Sequence, residues 1–147
     1  MRTKQAVSAG GVVLNPKGEV LVVQQLGNGV IISWSLPKGR VEDGENRVET
    51  AKREIYEESG VSQLEYVQAL GSYKRYKIGK DNKDDKSELK TIFLYLFRTE
   101  QVELKPKDPE NPEARWIDKS EVANLLTHQK DKVFFSSILN KLNIDEN

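Results

Sequence analysis

From about Asn46 the apolar residues Val48, Ala51 and Ile55 recur at spacings of three and four, and Gly60 stands where a helix end needs left-handed backbone. One amphipathic helix set among strand-like stretches restricts the chain to folds in which helices pack on a sheet. Upstream, residues 5–14 and 19–26 are rich in valine and flank the turn-forming run Asn15, Pro16, Lys17, Gly18, so they predict a hairpin. Residues 27–33 hold two glycines and read as a loop. Trp34 to Leu36 read as a short strand stopped by Pro37, and Gly39 and Gly44 bracket a further loop. Downstream, residues 64–78 and 89–99 predict two long strands, and the polar residues 79–88 between them predict a solvated, mobile hairpin loop. A proline-bearing loop over residues 100–113 leads to a short strand at 114–117. Asp118 and Glu121 have capping-box spacing for a helix through Leu126. A last helix over 131–142 carries Val133, Phe134, Ile138, Leu139 and Leu142 on the face expected to pack on the sheet. The order of elements predicts an α/β fold, a mixed β-sheet flanked by helices on both sides.

A chain of 147 residues, 37% hydrophobic, is the size of one globular domain with a real core. Basic and acidic residues number 23 each, so no global field points to nucleic acid or an anionic membrane, and charge-based recognition has to be local. The lack of cysteine removes disulfides and thiolate metal sites. No apolar run approaches the roughly 18 residues of a membrane span, and polar and small residues interrupt any secretory core near the start. A cytoplasmic protein is the expectation.

The local charge lies on the central helix. Five acidic residues fall between Glu45 and Glu58, and Glu54, Glu57 and Glu58 share one helix face, where like charges repel unless a cation sits among them. Carboxylates alone, without His or Cys nearby, suit Mg²⁺ or Mn²⁺ better than Zn²⁺. The same pattern also fits a solvated helix face. Glu45 and Arg53 are eight residues apart, so the loop around Gly44 has to bring them together; a pairing there would pin the loop to the helix.

Gly39, Glu45, Arg53, Glu54, Ile55, Glu57, Glu58, Gly60 and Val61 match every defined position of the signature G x5 E x7 R E U x E E x G U, with U aliphatic. The chain therefore resembles the Nudix, or MutT-like, hydrolase family. The resemblance implies an α/β/α sandwich that uses Mg²⁺ to hydrolyse a phosphoric anhydride in a nucleoside diphosphate linked to another group. By position it implies that Glu54, Glu57 and Glu58 are metal ligands, with Gly39 opening the loop that helps hold the metal. Arg53 and Glu45 become the pair that orients them. The general base is left between Glu54 and an acidic residue on a later loop, for which Glu88 and Glu113 are candidates. His128 reads as a helix-end or surface residue.

Lys38 gives the sequence "PKG", which looks like the family branch acting on diadenosine polyphosphates and like relatives acting on diphosphoinositol polyphosphates; a cation there suits a long polyphosphate. In residues 73–78, Tyr73, Arg75 and Lys77 alternate with Lys74, Tyr76 and Ile78, so Tyr73, Arg75, Tyr76 and Lys77 are candidates to stack on a base or pair with phosphates. Residues 114–134 also look like the tail of diadenosine polyphosphate hydrolases. Oxidised nucleoside triphosphates, ADP-ribose and the 5′ end of RNA stay open as alternative substrates, and a non-catalytic nucleotide-binding module as an alternative class. The expected partner is a small nucleotide polyphosphate, nucleic acid being disfavoured, with the protein a monomer or homodimer.

Overall fold

Along strand β1 (Lys4–Leu14), Val12 and Leu14 enter one apolar layer and Val13 the other, so this strand is buried on both faces. The computed structural model describes residues 2–27 and 30–143, giving only the backbone of Gly27 and Asn82. The same alternation runs through β2 (Glu19–Gly27), where Val20 and Val22 oppose Leu21 and Val23, and through β6 (Asp84–Arg98), where Ile92, Leu94 and Leu96 oppose Phe97. Strands β3 (Val30–Ser35), β4 (Lys38–Arg40), β5 (Glu65–Ile78) and β7 (Ala114–Asp118) complete a seven-stranded mixed sheet. Its main order is β3-β2-β1-β6-β5, with β4 beside β1 and β7 beside β2. The β1–β6 pair is parallel, from Lys4 opposite Glu88 to Leu14 opposite Arg98; the others are antiparallel.

Helix α1 (Arg47–Ser59) covers one face through Ala51 and Ile55, both fully buried. Helices α2 (Val122–Leu125) and α3 (Gln129–Ile138), with a 3₁₀ turn at Leu139–Leu142, cover the other through Val122, Phe135, Ile138 and Leu142. Among the described residues, no helix is long and apolar enough to cross a membrane.

Where α1 begins and ends follows from its caps. The Asn46 side chain accepts from the Glu49 N–H and the Glu49 carboxylate accepts from the Asn46 N–H, a reciprocal box that satisfies two of the orphan donors of the first turn. At the other end Gly60 has φ 83°, and its N–H donates to the Tyr56 carbonyl at 2.8 Å.

Several elements differ from the sequence expectation. Residues 30–33 are strand, because the free edge of β2 recruits a β-branched run through a bulge at Gln25/Leu26. Lys38–Arg40, expected in a loop, pairs with Ser8–Gly10 of β1. The polar run 84–88 is also strand. The β5–β6 ladder continues to Ile78 opposite Asp84, and the charged side chains of this largely exposed stretch cost the pairing little. Asp118 and Glu121 form no capping box: Asp118 accepts from the Ser120 N–H and hydroxyl instead, and no side chain caps α2. On α3, Val133 is exposed and Phe135 takes the buried place assigned to it.

A Cβ added at Gly60 would lie 2.4 Å from the Lys105 carbonyl oxygen, a backbone atom that cannot swing aside. Gly60→Ala is therefore expected to cost more than the ~1–2 kcal/mol of left-handed strain alone, and Asn46→Ala about 1 kcal/mol. Urea unfolding checks both; equal costs would show that the contact at Lys105 does not constrain the cap.

Candidate active site

Beyond the single pairing of Leu14 with Val20, β1 and β2 diverge, and β4 occupies part of the space on β1. The cleft beside it, about 250 Å³, is lined by Lys38, Gly39 and Arg40 of β4, Glu54 and Glu58 of α1, Lys90 of β6, and Asp108 and Glu110 of the loop before β7. Gly39 belongs there for lack of a side chain: an added Cβ would stand 2.0 Å from the Glu54 carboxyl carbon. The strand can thus lie directly against the helix carboxylate.

Arg53 organises the acidic face. Its Nε and Nη2 donate to the two oxygens of Glu45 at 2.7 and 3.0 Å, its Nη1 to Glu54 at 2.8 Å and to Glu57 at 3.3–3.4 Å, and its Nη2 also to the Arg40 carbonyl at 3.1 Å. Glu45 accepts further from the Thr50 hydroxyl and the Glu42 N–H. The guanidinium bonds and burial act in opposite senses on Glu45, and the bonds dominate, holding its carboxyl down at about 2. Arg53 is correspondingly pushed above the usual arginine value by Glu45.

Glu58 is the opposite case. It is 3% exposed, and its carboxyl is raised well above the usual range, first by burial and then by its hydrogen bond and proximity to Glu54. Its Oε1 accepts a long bond, 3.4 Å, from the Lys38 N–H. Two carboxyls that meet away from water need a proton or a cation between them. All the donors are oxygens, so a hard divalent ion fits the pair. Among the described residues no three acidic or histidine side chains converge on one point, because Glu57 turns to Arg53.

Lys38 is 7% exposed and has its ammonium lowered to about 8, chiefly by burial and then by the charge of Arg75. Lys90 is lowered for the same two reasons. Lys38 keeps its charge at neutral pH, and both lysines line the cleft together with the carboxylates.

The other sequence candidates fall elsewhere. Glu88 is held by Arg40 at 3.0 Å and Glu113 by Arg115 at 2.8 Å, and neither lines the cleft. Tyr73 stacks on Phe134 with ring centroids 4.6 Å apart and donates to Asp131 at 2.6 Å; Arg75 is buried against the same Asp131. These two are internal and not open to a ligand. Tyr76 is half-buried opposite Leu89, and Lys77 is exposed opposite Asp85; neither lines the cleft. His128 caps α3, its Nδ1 accepting from the Lys130 N–H at 3.1 Å, and burial rather than exposure describes its side chain.

Lys90, Asp108 and Glu110 were missed. Loop residues 105–111 are fixed by α1 and β2: Lys105 donates to the Ser59 carbonyl, Lys107 and Asp108 donate to the Glu57 carbonyl, and Asn111 donates to the Gln24 carbonyl. The helix's orphan carbonyls thereby find partners and Glu110 is brought to the cleft. The signal available in the sequence was Asp108 ahead of Pro109, Asn111 and Pro112, a stiff turn and not a slack linker.

Residues 4–137 match the model of the NUDIX domain. The chain is 35% identical over 134 residues to Nudix hydrolase 6 of Arabidopsis thaliana, covering 87% of this chain and 44% of that protein's length. It is 28% identical over 133 residues to the RNA pyrophosphohydrolase of Pelagibacter ubique, covering 85% of this chain and 84% of that protein. A crystal structure of a C. elegans Ap4A hydrolase complex shares the fold with a TM-score of 0.73 at 19% identity, over 93% of this chain and 97% of that one. With the signature spread over β4, α1 and the turn after it, and with the domain model spanning nearly the whole sheet, the chain belongs to the Nudix family.

Proposed function

We propose that the chain is a single-domain Nudix pyrophosphohydrolase that cleaves a phosphoric anhydride in a nucleoside diphosphate linked to another group, with dinucleoside polyphosphates such as diadenosine polyphosphates as its preferred substrates. One observation carries the reading: a single cleft is lined both by the helix carboxylates Glu54 and Glu58 and by the cations Lys38, Arg40 and Lys90. A cleft of about 250 Å³ is small for a whole nucleotide and suits a run of phosphates, with nucleosides lying outside it. The second reading is pyrophosphate removal from the 5′ end of RNA, favoured by the similarity to the Pelagibacter ubique protein along most of its length. The balanced charge of the chain weighs against a long nucleic-acid contact.

In this reading Glu54, Glu57 and Glu58 would hold Mg²⁺, or Mn²⁺ in its place, an ion whose chemistry when bound is neutralisation of phosphate oxygens and activation of water. Lys38 and Lys90 pair with the phosphates and leave the reacting phosphorus open to attack. Arg53 holds Glu54 beside the cleft, and Glu57 would have to turn from the same guanidinium to join Glu54 and Glu58. Glu54 and Glu110 are the candidates to accept the proton of the attacking water, since both line the cleft and Glu88 and Glu113 do not.

Purified protein given Mg²⁺ and a panel of diadenosine polyphosphates, nucleoside triphosphates, ADP-ribose and triphosphorylated RNA is expected to turn over the diadenosine compounds with the highest kcat/KM. Glu58→Gln should lose on the order of 10²-fold or more in kcat. Faster turnover of RNA would replace the first reading by the second, and unchanged turnover in Glu58→Gln would remove the carboxylate role.

The brace gives a pH test. Glu45 has a depressed folded value, so its contribution to stability is present above the ordinary carboxylate value of 4.5 and is lost as pH falls through about 2. The stability difference between wild type and Glu45→Gln, from urea unfolding, should be constant above about pH 5.5 and shrink progressively below it. A difference independent of pH down to about 2.5 would show that Glu45 is not an ionised partner of Arg53.

A further inference from the structure

Arg75 of β5 and Asp131 of α3 form an ion pair at 3.0 Å with side-chain exposures of 3% and 2%. Asp131 Oδ1 also accepts from the Tyr73 hydroxyl, while its Oδ2 is buried with no hydrogen-bond partner among the described residues. A buried pair of this kind is weak evidence for a stability role, because apolar side chains of similar volume do as well or better in its place. Its position suggests another use. Arg75 stands directly opposite Lys90 in the β5–β6 ladder, and Lys90 lines the cleft with Lys38. Lys38 feels the charges of Arg75, Asp131, Lys90 and Glu58; Lys90 feels those of Arg75, Glu88, Arg40 and Lys77. Three sparsely hydrated cations are thus gathered on this side of the sheet, and the acid buried among them is Asp131. In a region shielded from water, a unit charge acts over distances at which bulk solvent would silence it.

We propose that Arg75 and Asp131 are a charge-tuning pair behind the cleft: Arg75 strengthens and Asp131 weakens the hold of Lys38 and Lys90 on a polyphosphate, neither touching it. The inference rests on the polyphosphate reading above and assigns its affinity to residues outside the signature. Both are positioning residues in that they act through the lysines. The carboxylate offsets the charge of Arg75 behind the cleft lysines, and it limits how tightly phosphate is retained after cleavage.

The test is binding of inorganic tripolyphosphate by calorimetry at about pH 6.5, below the value of Lys38, in EDTA and at two salt concentrations. Asp131→Asn, which keeps an acceptor for Tyr73, is expected to tighten binding about fivefold at low salt, and Arg75→Gln to weaken it about fivefold. The double variant should return to within about twofold of wild type. All these shifts should shrink at high salt. If Asp131→Asn alone does not fold, comparison of the double variant with Arg75→Gln gives the effect of Asp131, and recovery of affinity is the expected result. Affinities equal in all pair variants, with only urea stability changed, would make the pair structural and overturn the inference while Lys90→Ala still weakens binding. Failure of the wild type to bind tripolyphosphate, or an unchanged affinity in Lys90→Ala, would overturn the polyphosphate reading and this inference with it.

Discussion

The guanidinium of Arg53 ties together three pieces of chain. A planar fork with five donors in fixed directions reaches Glu45 in the loop, Glu54 and Glu57 on its own helix, and the Arg40 carbonyl on β4. Satisfying one bond constrains the direction of the others. The loop from Arg40 to Glu45 is therefore pinned at both ends, and Glu54 is laid along Gly39, where any side chain would collide with it. A lysine in this position would offer a point charge without the fork, and the register between strand, loop and helix would no longer be set by one group.

From that register follows the separation of charge across the sheet. Residues of a strand alternate in direction, so when Gly39 faces α1, Lys38 and Arg40 face the other way. Glu54 and Glu58 come from the helix on one face, Asp108 and Glu110 from the loop before β7, and the cations from strands. They meet only because β1 and β2 part company after Leu14 and Val20, leaving an opening through which both sides reach the same cleft. A polyphosphate needs both kinds of neighbour, one to gather cations and water and the other to bind its spare charge. The sheet supplies the separation that keeps these groups from neutralising each other.

The sequence exposes this arrangement unevenly. The α1 side is legible because a helix turns spacing directly into direction: Glu54, Glu57 and Glu58 share a face adjacent to the buried Ala51 and Ile55, and Asn46 and Gly60 mark its limits. Strand alternation tells only that Tyr73, Arg75 and Lys77 share a face. It does not tell that α3 covers part of that face and meets Arg75 with Asp131, so Tyr73 and Arg75, which look available to a ligand, are engaged by α3, while Lys77 stays exposed. The β4 strand and the polar start of β6 escape for a related reason. Three residues of Lys-Gly-Arg and a run of charges have no strand propensity of their own, and a neighbouring free edge decides their conformation.

The loop before β7 shows how the cleft can vary without disturbing its frame. Its backbone amides end α1 by donating to the carbonyls of Glu57 and Ser59, which is a requirement of the helix and is indifferent to loop side chains. Asn111 anchors the far side to β2 through its amide. Between these anchors, Asp108 and Glu110 are free to differ in kind while their positions are held. In the proposed reading the signature would fix where an anhydride is attacked, and the loop, with Lys38 and Lys90, would set which phosphate chain comes to lie there. That division explains why a signature can be complete and still leave the substrate to residues that no signature contains.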